Sequence, residues 1–133
     1  MKLAVSPCNQ AGARLLFALA LLIITYMALT PAPGTLQASV NDKLGHSLAF
    51  LLLAFLSHAS WPNRDFSWRF ALPLLGYGLL IEIAQYFIPQ RFFSWLDLLA
   101  DAGGIVFYML LLWLLARQPN TLIHSRKHSI RTP

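Results

Sequence analysis

The chain has 133 residues, of which 57% are hydrophobic and only 11% charged, with a formal net charge of +5. That balance lies well outside an ordinary soluble domain and points to a membrane protein. A single cysteine, Cys8, offers no disulfide framework and no cysteine-based site.

The apolar residues gather into four runs, each close to the length of about 20 residues that crosses a hydrocarbon core. The first, residues 14–30, reads "RLLFALALLIITYMALT" and is stopped by Pro31, Pro33 and Gly34, which cannot continue a helix. Lys2 and Arg14 before it also fit a secretory signal. An uncleaved helix is expected instead, because the basic region is long and "LTPAPG" is a poor cleavage site. The second run, 44–61, has Asn41 or Asp42 as candidate N-caps and closes at Trp61-Pro62. The third, 70–88, carries Pro73, Gly76 and Gly78 early and ends at Pro89. The fourth, 95–116, follows "SWLD", a variant capping box that sets Asp97 against the positive end of the helix.

Connections of about 13 residues at most leave no room for a second domain or a repeat. The expected architecture is all-α: one membrane domain spanning 1–133, a bundle of four transmembrane helices with antiparallel neighbours and a basic tail at 117–133. Orientation follows from Lys and Arg, which accumulate on the cytoplasmic side. Placing both termini there puts Lys2, Arg14, Arg64, Arg69, Arg117, Arg126, Lys127 and Arg131 inside and leaves only Lys43 and Arg91 outside. The tail "RKHSIR" is then an orientation signal touching anionic lipid, and nucleic acid is not an expected partner.

The carboxylates sort differently. Asp42, Glu82, Asp97 and Asp101 fall at the outward ends of helices two, three and four, joined by Lys43 and His46, while Asp65 lies on the other side. Spacing puts Asp42 with His46, Glu82 with Gln85, and Asp97 with Asp101 and Gly104 on single helix faces. Glu82 lies seven residues before Pro89, about 10 Å below the helix end at 1.5 Å per residue. A carboxylate there must be protonated, paired or facing a wet cavity.

Plainer roles stand beside these. Capping accounts for Ser94 and Asp97 first, and Asp42 is a candidate cap. His46 and Gln85 fit interhelical hydrogen bonding. Gly76, Gly78, Gly103 and Gly104 permit close helix approach or, in helix three, some bending. His58 is placed at the cytoplasmic interface, His124 and His128 belong to the tail, and Trp61, Trp68, Tyr86, Phe92, Phe93 and Trp95 form aromatic belts. What these roles leave unexplained is convergence: three helices bring ionisable groups to one leaflet, and the intervening loop supplies Arg91, whose planar fork suits carboxylate or phosphate.

"DKLGH" (Asp42, Lys43, His46) followed by "EIAQYFIPQRFFSWLDLLADAGG" resembles the VanZ-like family of small bacterial membrane proteins over about residues 40–115. The shared pattern is Asp-Lys-x-x-His, then Glu-x-x-Gln, Pro-x-Arg and a downstream Asp before an Asn and glycines. The chain departs from it at Asp101, where the family has Asn, and at Tyr108, where a second glycine often follows Gly104. The second change suggests looser packing. The resemblance implies a family named for low-level resistance to the glycopeptide teicoplanin, without a mechanism.

Function is therefore argued from the site, in three classes. The first is a binding protein in the bacterial cytoplasmic membrane. Its ligand-binding residues are Asp42, Lys43, His46, Glu82, Gln85, Arg91, Asp97 and Asp101, and its partner is a membrane lipid or lipid-linked envelope component. The second is a small membrane hydrolase or transferase with His46, Glu82 and Asp42 as candidate catalytic groups, His46 working with Asp42 or Glu82 as general acid and base, or the histidine and carboxylates holding a divalent cation. The third is a structural subunit or assembly factor of an envelope complex or homo-oligomer, with a buried polar network. No H-E-x-x-H spacing is present, so neither a metal nor another cofactor is expected.

Overall fold

The computed structural model describes residues 7–30, 40–89, 91 and 93–117, side chains of Pro7, Cys8, Val40 and Asn41 excepted. The expectations for Lys2, Pro31, Pro33, Gly34, Phe92 and the basic tail with its histidines concern residues outside these. Four α-helices and no strand make up the described residues: α1 Pro7–Leu29, α2 Val40–Ser60, α3 Trp68–Tyr86 and α4 Trp95–Ala116.

The fourth helix has its expected limits, and the others move by a few residues for local reasons. α1 begins well before Arg14, because hydropathy marks the apolar stretch whereas "CNQAGA" is merely helix-compatible. The added turns are used: the Gln10 amide and the Arg14 guanidinium both donate to the Ser60 carbonyl at the end of α2, each at 3.2 Å. α1 stops where Thr30 donates back to the Tyr26 carbonyl through its amide and hydroxyl, just before Pro31. α2 starts at Val40, so Asn41 and Asp42 lie in its first turn rather than capping it, and Asp42 retains a favourable place at the positive end. α3 starts on Ser67, whose carbonyl accepts from Phe70 and Ala71, and gives way at Phe87 before Pro89.

α2 packs against all three other helices, most extensively against α4, and among the described residues α1 and α4 do not meet. The apolar core is Phe50, Leu53 and Ala54 of α2, Leu74 of α3, and Ile105 and Tyr108 of α4. Two glycines set the spacing. A Cβ on Gly104 would collide with the Ser47 carbonyl and lie 3.0 Å from the Leu51 nitrogen, while one on Gly78 would sit 2.6 Å from Asp101 Oδ2 and 3.0 Å from the Phe50 ring. Gly76 and Gly103 play no such part: nothing lies within 4 Å of a Cβ on the first, and only Ser47 Oγ at 3.9 Å for the second.

Two expectations are corrected here. Tyr108 does not loosen the α2·α4 packing; it is buried, with Phe66 and Phe55 edge-on to its ring, and its volume fills the space a glycine would leave. His58 is not interfacial but fully buried, with Nδ1 2.9 Å from the Tyr108 hydroxyl. A buried imidazole is tolerated because α4 brings it a hydrogen-bonding partner.

Polarity is inverted relative to a soluble bundle. Leu44, Leu48, Leu52 and Phe55 on α2 and Leu72, Leu80 and Ile83 on α3 are exposed, whereas Ser57, His58, Ser60, Glu82, Gln85, Asp97 and Asp101 are buried. Among the described residues Asn9–Leu29 and Trp95–Ala116 are long and apolar enough to cross a membrane.

Candidate functional site

The first turns of α2 and α4 lie side by side, and their registers advance together. Lys43 Nζ is 3.3 Å from Asp97 Oδ1, and one turn further His46 Nδ1 is 2.9 Å from Asp101 Oδ1. Ser47 Oγ donates to the Ala100 carbonyl at 2.9 Å between them. The bare Cα of Gly104 permits this approach, so a packing glycine fixes the polar pairs one turn away.

α3 joins from the other side. The Glu82 carboxylate is completely buried, and its Oε2 accepts the Ser94 amide at 2.8 Å. Ser94 Oγ in turn accepts from the Asp97 amide at 3.3 Å, so Ser94 is the N-cap of α4. In a capping box the carboxylate three residues on would return to the cap's amide. Here Asp97 faces Lys43, and Glu82 from another helix takes the amide instead. Glu82 Oε1 has no hydrogen-bond partner among the described residues. Gly78, one turn earlier on α3, leaves the space that Asp101 Oδ2 occupies.

The eight residues expected to line one site therefore divide. Asp42, Lys43, His46, Asp97 and Asp101 form a cluster on α2 and α4, and Glu82 is tied to it through Ser94. Gln85 and Arg91 serve another surface. Gln85 Nε2 donates to the Ala28 carbonyl at 3.0 Å, and an Arg91 terminal nitrogen donates to Thr30 at 3.0 Å and Met27 at 3.4 Å. Both satisfy carbonyls that the end of α1 leaves without intrahelical donors. The signal was present in the sequence: a helix ended by Pro31 must find donors for its last carbonyls elsewhere.

The cluster is accessible. Asp42 is exposed, and the Lys43 side chain is 29% exposed, while Asp97 and Asp101 sit behind them at 10% and 1%. Asp42, His46 and Asp97 each offer a ligand atom within 4.8 Å of the others, so a cation could be held there. Asp101 orients the imidazole: with Nδ1–H donating to its carboxylate, the other ring nitrogen keeps its lone pair. Sequence reasoning paired His46 with Asp42 or Glu82 and gave Gly78 a part in close helix approach, as found, but did not single out Ser47 or the His58–Tyr108 pair.

At the opposite end of the bundle a cavity of about 790 Å³ is lined by residues that include Phe17, Trp61, Arg64, Trp68, Arg69 and Pro73. None of the expected site residues borders it. The Arg69 guanidinium lies 5.7 Å from the Trp68 ring centre, in an aromatic and basic rim.

A family model described as VanZ/LLP1 matches residues 15–116, which contain the whole polar cluster. No curated protein and no solved structure matches the chain.

Proposed function

Since the chain belongs to the VanZ/LLP1 family, we propose that it is an integral protein of the bacterial cytoplasmic membrane that binds a lipid-linked or cell-envelope component at its α2–α3–α4 polar cluster. All four helices span the membrane in this proposal, with both termini cytoplasmic and the cluster facing outward. α2 and α3, of 21 and 19 residues, are about 30 Å long at 1.5 Å per residue, the thickness of a hydrocarbon core. Their exposed leucines suit lipid, and Ser57, His58, Ser60, Glu82 and Gln85 are buried within the bundle.

One observation supports a binding role most: ionisable groups from three helices converge at one end of an outwardly apolar bundle, and Asp42 and Lys43 open that cluster to the surface. Polar groups within spans are costly, and holding helices together does not require an exposed edge. Recognition would run through Lys43, His46 and the carboxylates. The Arg91 fork, engaged with Thr30 and Met27, is assigned to fixing α1. A link to teicoplanin susceptibility rests on family membership alone.

A second reading has one observation in its favour. Asp101 holds His46 through Nδ1 at 2.9 Å, the arrangement that orients an imidazole as general base. Hydrolysis or transfer at a lipid-linked ester or phosphate would use the other ring nitrogen.

Native mass spectrometry of the protein extracted with its membrane lipids tests the binding proposal, with Lys43→Gln and Glu82→Gln compared at equal folded yield. A phosphate-bearing or sugar-bearing lipid retained by the wild type and released by both variants is expected. Equal lipid complements in all three proteins, with reduced thermal stability in the variants, would assign the cluster to a structural network.

A further inference from the structure

Charge in the cluster is unbalanced. Asp42, Asp97, Asp101 and Glu82 face Lys43 and His46, while Arg91 is turned to the end of α1. Four carboxyl groups against one ammonium and one imidazole make the cluster better suited to a cation than to an anion alone. We propose that Asp42, His46 and Asp97 form a binding site for a divalent cation of the Zn²⁺ class, with Asp101 as the residue that positions the imidazole.

Three features of the site support the assignment. The candidate ligand atoms of Asp42, His46 and Asp97 lie within 4.8 Å of one another. Tetrahedral Zn²⁺ with bonds of about 2.0 Å needs neighbouring ligands about 3.3 Å apart. Asp42 is exposed on the first turn of α2, so a rotamer change of that side chain can close the gap. Second, Asp101 Oδ1 lies 2.9 Å from His46 Nδ1, the carboxylate–histidine pairing that fixes a metal-binding imidazole and leaves Nε2 as its ligand atom.

The third feature is Glu82, which does not belong to the ligand set. It is 0% exposed, has one oxygen without a partner among the described residues, and is joined to the site through Ser94, whose amide donates to Glu82 Oε2 at 2.8 Å and whose Oγ accepts from the Asp97 amide at 3.3 Å. A buried carboxylate oxygen left unpaired is expensive. A dication beside Asp97 would offset that cost and the mutual repulsion of the acidic groups. One imidazole with two carboxylates favours Zn²⁺ over Mg²⁺ or Ca²⁺, and three protein ligands leave a position for water or a phosphate oxygen.

Lys43 makes the proposal directional. Its ammonium sits 3.3 Å from Asp97 Oδ1 and competes for the same carboxylate. Removing it must therefore strengthen cation binding, whereas removing Asp42 must weaken it.

The test is Zn²⁺ titration of chelator-stripped full-length protein in nanodiscs, with bound metal counted by mass spectrometry and Mg²⁺ titrated in parallel. His124→Ala and His128→Ala are present in every sample so that tail imidazoles do not contribute. One equivalent of Zn²⁺ is expected, bound more tightly than Mg²⁺. Asp42→Asn should weaken it at least about 10-fold with unchanged metal-free melting, Asp101→Asn by about 10-fold, and Lys43→Gln should tighten it. Affinity unaltered by Asp42→Asn, weakened by Lys43→Gln, or greater for Mg²⁺ would overturn the site. The nanodiscs carry no envelope component, so the result is separate from that of the lipid-retention experiment.

Discussion

Glu82 Oε2 accepts the Ser94 amide at 2.8 Å, so a carboxylate from α3 caps the first turn of α4. The bond joins a fully buried charge-bearing group to an amide that a helix start leaves without a partner. A local capping box has become a bond between two helices.

Glu82→Gln keeps a carbonyl oxygen for that amide and adds a donor where Oε1 has no described partner. It should fold with stability within about 1 kcal/mol of the wild type, whereas Glu82→Leu, which strands the Ser94 amide, should cost about 1–3 kcal/mol. Unfolding in mild detergent, followed by circular dichroism, compares the two.

Gly104→Ala places a methyl group against the Ser47 carbonyl. The backbones of α2 and α4 must separate, at about 1–3 kcal/mol, and the Lys43–Asp97 and His46–Asp101 pairs should lengthen with them. Gly103→Ala meets only Ser47 Oγ at 3.9 Å and gains helix propensity, so it should be neutral or stabilising by up to about 1 kcal/mol. Thermal melts of the two variants should move apart.

Tyr108→Phe preserves the ring packing and removes the hydroxyl 2.9 Å from His58 Nδ1. A loss of about 1 kcal/mol is expected, against about 3–5 kcal/mol for Tyr108→Ala, which also opens a cavity among Phe55, His58 and Phe66. Equal losses would show that the hydrogen bond, and not the packing, is the main contribution.

Arg91→Ala and Gln85→Ala should each release the end of α1 without disturbing the α2·α4 pairs. Amide exchange should accelerate at Thr30 and in the last turn of α1, and remain slow around Ala100 and Asp101. Arg91→Lys can still reach one of the two carbonyls and should fall between wild type and Arg91→Ala.

How much of this was legible in the chain depends on the distance over which each residue acts. The four helices follow from apolar runs closed by Pro31, Pro62 and Pro89, and the start of α4 from Ser94, because helix start and stop signals are local. Helical spacing also placed Asp42 with His46 and Asp97 with Asp101 on single faces. It did not reach the partner of any of them. Lys43–Asp97 and His46–Asp101 depend on the register of α2 against α4, which Gly104 and the Ser47 backbone set by how closely two helices can approach.

The same limit explains the residues whose roles changed. Hydropathy places His58 near a helix end, but only the arrival of Tyr108 from α4 allows it to be buried. Arg91 was matched by charge to an acidic cluster, yet the end of α1 lies within its reach and presents carbonyls in need of donors. The sequence alone determined which segments are helical and which residues are chemically able to form a site. The tertiary structure decided which of those residues meet, because a hydrogen bond acts over about 3 Å while residues 46 and 101 are brought together only by the packing of two helices.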